Sequence, residues 1–227
     1  MPTDPKPLIA IVGGAGHLGG ALARRWCSAG YRIVIGSRDP ARAAEAAAGL
    51  APGAGGEAHG ATNREAAEAA DIVVVCVPFA SQEATLGEIR AVVRGKLVVD
   101  TTVPLMPPKV MRVQLPQEGS AALRAQALLG AEVTVVSAFH NVAAHRLDSD
   151  EVVDCDVLVF GDKADARGRV VELARAAGLR GLHAGSLANS AAAEALTSIL
   201  IFINKHYAVD GAGLRITGPL NERVAEA

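Results

Sequence analysis

The sequence predicts an α/β fold in which a doubly wound, mostly parallel sheet precedes a smaller, C-terminal helical part. Three observations lead to this prediction. Short, β-branched apolar runs alternate with alanine-rich helical segments, which is the pattern of repeated βα units. The first apolar run ends in a cluster of glycines. The chain of 227 residues is also 50% hydrophobic, which is enough for a sizeable core.

The first βα unit carries a glycine fingerprint. Residues 8–12 are too short and too β-branched for a helix, and their unbroken hydrophobicity suits a strand buried on both faces. Gly14, Gly16 and Gly19 follow in the spacing GxGxxG, and a helical segment starts near His17. This context favours a dinucleotide-binding Rossmann motif over a structural glycine turn, with the pyrophosphate at the helix N-terminus. We expect His17 to take part through its backbone.

The second predicted strand, residues 31–35, ends in a loop that bears on the choice of coenzyme. Ser37 and Arg38 stand where an NAD-binding protein has an acid for the ribose 2′-hydroxyl, and this pair favours the 2′-phosphate of NADP. Asp39 is an alternative ribose acid, but an aspartate followed by proline is typical of a helix N-cap. Arg42 adds a second positive group one turn later. The alternative for the two arginines is an exposed cluster at the helix end.

The remaining segments continue the alternation of strands and helices. Further strands are predicted near residue 60, at 72–77 and 96–100, from 133 onwards, at 157–160 and at 181–183. Further helices are predicted at 41–50, 63–70, 82–93, 121–129, 163–177 and 189–207. Ser81 either lines the cofactor crevice beside Val77 or caps the helix that follows. The proline-rich loop 104–118 is either a functional cover or a surface excursion.

A polar turn follows the strand that starts at residue 133. The carboxyl ends of the strands in a doubly wound sheet face the ligand crevice, so Phe139, His140 and Asn141 stand where a nicotinamide or its partner would react. His140 is either a site residue or a satisfied structural histidine. Reduction of a carbonyl requires a positioned acid or base, whereas hydride transfer between two coenzymes mostly requires two rings in contact without water. The scarcity of titratable groups favours the second chemistry.

Composition and charge argue against several other classes of function. A net charge of −2 and an aromatic content of 3% provide neither a broad attraction for nucleic acid or anionic membranes nor a stacking platform for single strands. The N-terminus has no signal-peptide pattern and no uninterrupted apolar run reaches membrane-spanning length, so we predict a cytoplasmic protein. The three cysteines are far apart and are expected to be reduced thiols. No histidines are spaced as metal ligands beside a carboxylate, so no metal is expected.

The predicted helix 189–207 is apolar nearly all round in its central part, residues 199–203. Such a helix is buried either in the core or against another subunit. A two-fold interface buries the same apolar patch twice. The sequence therefore predicts a homodimer.

Four segments together resemble the NADPH-dependent deazaflavin reductases, the family of coenzyme F420-dependent NADP oxidoreductases. These segments are IVGGAGHLG at 11–19, GSR at 36–38, VSAFH at 136–140 and EALT at 194–197. The resemblance extends over nearly the whole chain. It implies an NADP-binding Rossmann domain at 1–140 and a smaller part at 141–227 with the deazaflavin cleft and dimer contacts. It also implies reversible hydride transfer between NADP and the 8-hydroxy-5-deazaflavin ring of coenzyme F420.

The resemblance further implies which residues bind each coenzyme. The matching positions for NADP are Gly14, Ala15, Gly16, His17, Leu18, Gly19, Ser37, Arg38, Arg42, Val77, Ser81, Val103 and Ala144. Those for the deazaflavin are His140, Asn141 and Val142, with His140 a candidate for positioning the ring. Residues 140–144 read HNVAA where the family more commonly has His-x-Ile-Pro-Ala. An arginine that some members carry just after an Asn-Ser pair is absent after Ser190.

Two other functions are compatible with the same fold. An NADPH-dependent reductase of a small imine or keto acid would need an additional acid or base and an anion-binding arginine or lysine in the crevice. A non-catalytic NADPH-sensing protein would need no catalytic group. Turnover of NADPH with the oxidised deazaflavin distinguishes the three.

Overall fold

The computed structural model describes residues 6–221, which follow the predicted alternation of strands and helices. The strands are β1 (Leu8–Val12), β2 (Arg32–Ser37), β3 (Glu57–Thr62), β4 (Ile72–Val75), β5 (Leu97–Asp100), β6 (Thr134–Ser137), β7 (Asp156–Val159) and β8 (Arg180–His183). The helices are α1 (His17–Ser28), α2 (Pro40–Ala48), α3 (Asn63–Ala69), α4 (Phe79–Ile89), α5 (Ala121–Leu129), α6 (Ala144–Leu147), α7 (Ala164–Ala176) and α8 (Ser190–Tyr207). The extreme N-terminus, on which the argument against a signal peptide rested in part, lies outside the described residues.

Strands β1 to β6 form one sheet in the order β3-β2-β1-β4-β5-β6. All five pairings are parallel. The direction of strand succession reverses between β1 and β4, which is the topological switch point of a doubly wound sheet. The predicted fold class is confirmed, and the crevice lies beyond the carboxyl ends of β1 and β4.

Two apolar layers cover the two faces of this sheet. Successive side chains of a strand point to opposite faces, so β1 places Ile9 and Ile11 in one layer and Ala10 and Val12 in the other. All four side chains are completely buried. This explains why β1 reads as an unbroken apolar run instead of an alternating one.

The C-terminal part contains strands as well as helices. Strands β7 and β8 pair in parallel, and an antiparallel bridge between Phe160 and Ser137 joins β7 to the end of β6. The indole nitrogen of Trp26 in α1 donates a hydrogen bond to the carbonyl oxygen of Leu173 in α7 at 2.8 Å. The apolar layer on that side of the sheet extends without interruption into the C-terminal part. The predicted boundary at residue 140 falls three residues after β6.

Helices α3 and α5 begin with side-chain caps, whereas α4 does not. Thr62 and Glu65 form a reciprocal capping box at the start of α3, and the hydroxyl of Ser120 accepts from the backbone of Leu123 in α5. The prediction that Ser81 caps a helix at 82–93 is wrong, because α4 already begins at Phe79. Proline favours the extended conformation before a helix, and Pro78 occupies the N-cap position instead.

Helix α8 is buried on one side only. Leu200 is buried, whereas about half of the Ile199 and Phe202 side chains is exposed. The segment Leu187–Tyr207 is long and apolar enough to cross a membrane by length and composition, which the sequence analysis did not anticipate. The same helix carries the buried carboxyl of Glu194, which is bound to the helix α5.

Candidate active site

The glycine fingerprint forms a tight turn between β1 and α1. The backbone N–H groups of Gly13 and Gly14 both donate to the carbonyl oxygen of Gly36 at the end of β2, at 3.0 Å. A Cβ on Gly19 would lie 2.8 Å from the Cα of Gly14, so α1 packs against the turn at a distance that only glycine allows. These glycines therefore shape the turn, and they bring the start of α1 to the switch point.

The first turn of α1 has the features of an anion site. Its N-cap is Gly16, which provides no side-chain hydrogen bond, and its first turn contains no acidic residue. The first backbone N–H groups of a helix lack partners within that helix and carry the positive end of its dipole. Ala15 and Leu18 are half-buried, and His17 is exposed at the first helical position. The cradle fits a pyrophosphate, which agrees with the predicted backbone role of His17.

The residues that follow β2 include an aspartate with a structural role and two arginines without a partner in the described part of the chain. The Asp39 carboxylate accepts from the backbone of Ala41 at 3.0 Å and caps α2, as the Asp-Pro pair predicts. The Ser37 hydroxyl accepts from the backbone N–H of Asp39 at 3.1 Å. Arg38 and Arg42 are exposed and make no hydrogen bond or ion pair within residues 6–221. Both guanidinium groups are thus available to a phosphate.

The predicted residues after β4 and β5 lie at the same edge of the sheet. A Cβ on Gly13 would lie 2.6 Å from the Val77 side chain, so Val77 borders the glycine turn. Ser81 lies in the first turn of α4, and Val103 follows β5; both are half-buried. Ala144 is the first residue of α6, which follows β6 in the chain, and it is also half-buried. Direct contact of these four residues with NADP stays a prediction.

The polar turn after β6 reverses the direction of the chain within a few residues. Phe139 has a φ of +65°, in the left-handed region that a phenylalanine rarely adopts. The next residue, His140, returns towards the strand, and its Nε2 shares a hydrogen bond of 2.8 Å with the Ser137 hydroxyl. Strained backbone of this kind is concentrated at functional sites. The turn therefore presents a fixed arrangement of polar groups at the end of β6.

His140 is neutral at physiological pH. Its side chain is buried, and this burial lowers the pKa of His140 to about 4. A buried imidazole loses hydration that the charged form needs most. His140 can therefore orient a neighbouring group through a hydrogen bond, but it does not exchange a proton near pH 7.

Helix α8 holds the turn from the other side. The Thr197 hydroxyl donates to the carbonyl oxygen of His140 at 3.0 Å, and the amide of Asn141 donates to the Ala193 carbonyl at 2.9 Å and to Thr197 at 3.1 Å. The half-buried Val142 packs against the main apolar layer. The three predicted deazaflavin residues thus lie together on a rigid turn, although the Asn141 amide is already engaged by the protein.

Three buried polar residues, Asp100, Gln82 and Glu194, form a cluster behind the crevice. Asp100 accepts from the Gln82 amide at 2.8 Å. Glu194 accepts from the backbone N–H groups of Ala121 and Ala122 at 2.6 and 3.1 Å, at the positive end of the α5 dipole. Burial raises the pKa of Asp100 and of Glu194 to about 7. The charge of Asp100 contributes to the raised pKa of Glu194.

We expect this cluster to make the folded state less stable as pH rises towards neutrality. A carboxyl whose pKa is higher in the folded than in the unfolded chain binds more protons when folded, so its contribution falls from about pH 4.5 to about pH 7. The slope approaches about 1.4 kcal/mol per pH unit for each carboxyl. Denaturant unfolding between pH 5.5 and 8 should show a smaller fall in Asp100→Asn than in the wild type. Equal slopes of stability against pH in the two proteins would contradict the raised pKa of Asp100. Both proteins contain His140, so the contribution of its ionisation cancels in the comparison.

Sequence reasoning missed residues that support the site from behind. The side-chain oxygen of Asn63 accepts from the backbone of Gly13 at 3.3 Å, and Asn63 is buried. Asp100 and Glu194 were assigned no role, although Glu194 lies in one of the segments that carry the resemblance. For Asn63 and Asp100, a polar residue at a predicted strand end was the available signal. The partners of Asn63 and Glu194 are 50 to 73 residues away in the chain and are brought to them only by folding.

The structure adds little chemistry outside these groups. Within residues 6–221, no cluster of three or more histidine, cysteine, aspartate or glutamate side chains has the arrangement of a metal site. Cys27, Cys76 and Cys155 are free thiols. Burial raises the pKa of Cys76 to about 12, which makes that thiol a poor nucleophile. His140, Asn141 and the two unpartnered arginines are therefore the polar groups of greatest interest.

Comparisons with known proteins agree with this arrangement. Residues 8–104 match the family model described as NADP oxidoreductase coenzyme F420-dependent. The F420-dependent NADP reductase of Methanothermobacter thermautotrophicus is 41% identical over 218 residues, which cover 92% of this chain and 94% of the relative. The F420-dependent NADP reductase of Methanocaldococcus jannaschii is 37% identical over 219 residues, or 92% of this chain and 97% of that protein.

A solved structure shows the same fold at lower identity. It is a protein from Arthrobacter sp. FB24, provisionally assigned as an F420-dependent NADP reductase. It superposes with a TM-score of 0.77 at 24% identity, over 94% of this chain and 100% of that one. The glycine turn, the Ser-Arg loop and the near-complete alignment with the two archaeal enzymes lead to one conclusion. The chain belongs to the F420-dependent NADP reductase family.

Proposed function

We propose that this protein transfers a hydride reversibly between NADP(H) and the deazaflavin coenzyme F420. The observation that carries the proposal is the neutral, buried His140 on a rigid turn beside the dinucleotide crevice. Such a turn positions a ring without supplying a proton. When bound, NADPH would supply the hydride to the deazaflavin ring and solvent would supply the proton that completes its reduction, so the main tasks of the protein are to align two rings and to exclude water from between them.

NADP is held along the carboxyl ends of β1, β2, β4 and β5 in this proposal. The start of α1, from Ala15 to Leu18, takes the pyrophosphate through backbone N–H groups. Arg38 and Arg42, with the Ser37 hydroxyl, take the 2′-phosphate. Within residues 6–221 the two guanidinium groups have no protein partner, which supports this role, because an unpaired guanidinium keeps its donors for the ligand.

The deazaflavin ring is held against His140, Asn141 and Val142. The Asn141 amide donates to α8 and its carbonyl oxygen accepts from the Cys155 thiol, so its backbone N–H and the faces of the neighbouring side chains remain for the ring. We propose the boundary between the NADP-binding part, 1–140, and the part that completes the deazaflavin cleft, 141–227, at this turn. The turn then belongs to both sites, which suits direct hydride transfer.

The test is the loss of deazaflavin absorbance when purified protein is mixed with NADPH and oxidised F420. We expect turnover with this acceptor and none with small imines or keto acids, which call for an acid or base that His140 does not provide. Turnover with an imine or keto acid alone would support the alternative reductase. NADPH binding without turnover of any acceptor would support a sensing protein.

Replacing His140 with alanine is expected to lower turnover without abolishing it. The imidazole is neutral and is held by its hydrogen bond with Ser137. Its loss therefore removes a group that orients the deazaflavin ring, but it removes no proton donor or acceptor from the reaction. For the same reason the wild-type pH profile between 5 and 8 should lack a His140 ionisation. Steady-state rates across this range check both points. Complete loss of hydride transfer with intact binding of both coenzymes would make His140 chemically essential instead.

The same family assignment suggests a homodimer in the cytoplasm, with α8 at the interface. About half of the Ile199 and Phe202 side chains is exposed. The loop 104–118 adds the exposed Met111 beside them, since the Ser198 hydroxyl donates to the backbone of Arg112 at 3.4 Å. A second copy buries both apolar surfaces. Light scattering after size exclusion should give twice the mass of the chain, and Phe202→Asp should give a monomer.

The buried Glu194 supports a water-soluble assignment for α8 over a membrane span. A carboxyl within a spanning helix is expensive in lipid, whereas the Glu194 carboxyl is bound here to two backbone N–H groups of α5. The exposed face of α8 is then a subunit contact. Recovery of the protein in the soluble fraction without detergent is the expected result, and extraction only by detergent would contradict it.

A further inference from the structure

The last turn of α1 is bound to the segment that follows the turn after β6, where the proposed function places the deazaflavin at residues 140–142. The Arg25 guanidinium donates from Nε to the Leu147 carbonyl at 2.8 Å, and from Nη2 to the Ser149 and Glu151 carbonyls at 2.7 and 2.9 Å. A guanidinium holds its donors in a rigid planar fork. Arg25 therefore binds three carbonyls of residues 147–151, and its neighbour Arg24 adds a hydrogen bond to the Ser149 carbonyl at 3.2 Å and an ion pair with Asp150.

This segment is the continuation of the proposed second coenzyme site. Helix α6 begins at Ala144 and ends at the fully buried Leu147, so Arg25 fixes the end of a short helix whose start lies beside the site. Thr197 holds the other end of the same stretch through the His140 carbonyl. The stretch is thus fixed at both ends by side chains from different elements.

The residue next to Arg25 supports the start of this stretch. The Trp26 ring meets the Phe139 ring edge to face, at a centroid distance of 5.8 Å and an angle of 76°. Phe139 is the residue with left-handed backbone, and such a conformation persists only where packing holds it. Consecutive residues of α1 therefore contact both ends of the segment 139–151.

We infer that Arg25 is a positioning residue for hydride transfer, which rests on the proposed function. Helix α1 holds the NADP phosphates at its N-terminus and, through Arg25 and Trp26, holds the deazaflavin segment at its C-terminal turn. A helix of 12 residues is a rigid rod of about 18 Å. The relative placement of the two rings is thus transmitted through one element, and Arg25, which reaches Leu147 at the end of α6, carries its hydrogen bond nearest to the second site.

The kinetic test compares Arg25→Met and Arg25→Lys with a matched control. Arg175→Met also removes an arginine from the last turn of a helix, but that side chain is exposed and, among the described residues, pairs with Glu172 of its own helix. We expect Arg25→Met to lower kcat/KM for F420 by about ten- to hundredfold, the effect of a small misplacement. NADPH affinity should change less than about twofold. The kcat/KM of Arg25→Lys for F420 should lie between those of the wild type and Arg25→Met, since an ammonium cannot reproduce the planar fork.

A second readout does not depend on turnover. Amide hydrogen exchange in residues 141–151 should become faster in Arg25→Met, while the glycine turn stays protected and Arg175→Met behaves as the wild type. Equal losses for both coenzymes, or a lower melting temperature with unchanged F420 kinetics, would reduce Arg25 to a structural role. Unchanged exchange would overturn the positioning role alone. Failure of the wild type to reduce F420 would overturn the proposed function itself, and with it the kinetic role.

Discussion

Replacing Arg38 with alanine is expected to weaken NADPH binding by about 1.5–3 kcal/mol and to leave NADH binding nearly unchanged. This range is that of a hydrogen bond to a charged group. Arg38 follows β2 directly, is exposed, and has no partner within the described part of the chain. Its loss therefore costs the protein no internal contact, and the whole effect falls on the 2′-phosphate that distinguishes the two coenzymes.

The matched control is Arg32→Ala, at the opposite end of the same strand. Arg32 is also exposed and carries the same charge, but it lies at the amino end of β2, away from the crevice. Titration of both variants with NADPH and NADH, at one ionic strength, separates a local contact from a general loss of positive charge. An equal loss of affinity for both coenzymes in Arg38→Ala would refute the 2′-phosphate assignment. Arg42→Ala should show the same selectivity with a smaller effect, since Arg42 lies one turn further along.

Replacing Gly16 with alanine is expected to weaken NADP binding by at least about tenfold while the chain still folds. A Cβ at Gly16 would approach only the Gly13 carbonyl, at 3.3 Å, whereas one at Gly19 would lie 2.8 Å from the Cα of Gly14. The fold therefore tolerates a methyl group at the first position and not at the second. The new methyl would instead stand where the pyrophosphate approaches the backbone.

Two further variants make this experiment specific. Gly16→Ala should lower the free energy of unfolding by about 1 kcal/mol, because alanine is a poorer N-cap than glycine. Gly20→Ala places the same methyl in α1 with only an ordinary contact of 3.7 Å to Gly14. It should raise stability by about 0.5–1 kcal/mol and leave NADP binding unchanged. Gly16→Ala protein that binds NADP like the wild type would place the pyrophosphate elsewhere.

The regular part of the fold was predictable because its signals are local. The unbroken apolar run of β1, the glycine spacing and the Asp-Pro cap of α2 each act over six residues or fewer, and each forms as predicted. The start of α4 was misjudged because two signals competed at one place. Ser81 is a good N-cap residue, but the chain enters the helix at Phe79, directly after proline.

The site was predictable only in outline. Strand ends in a doubly wound sheet mark the crevice, so the position of His140 followed from topology. Its protonation state did not, because the pKa depends on burial by elements that the sequence does not order in space. The same holds for Glu194, whose partners at the start of α5 lie 72 and 73 residues away.

The sequence by itself determined that this chain builds a dinucleotide crevice and that Ser37 and Arg38 favour NADP. Short-range patterns are sufficient for both, since a glycine turn and a strand end are defined by neighbouring residues. Only the tertiary structure decided that His140 is neutral, that α8 holds the turn after β6, and that Arg25 reaches a segment 122 residues away. Burial and long-range hydrogen bonds are properties of the packed chain, so no local pattern encodes them.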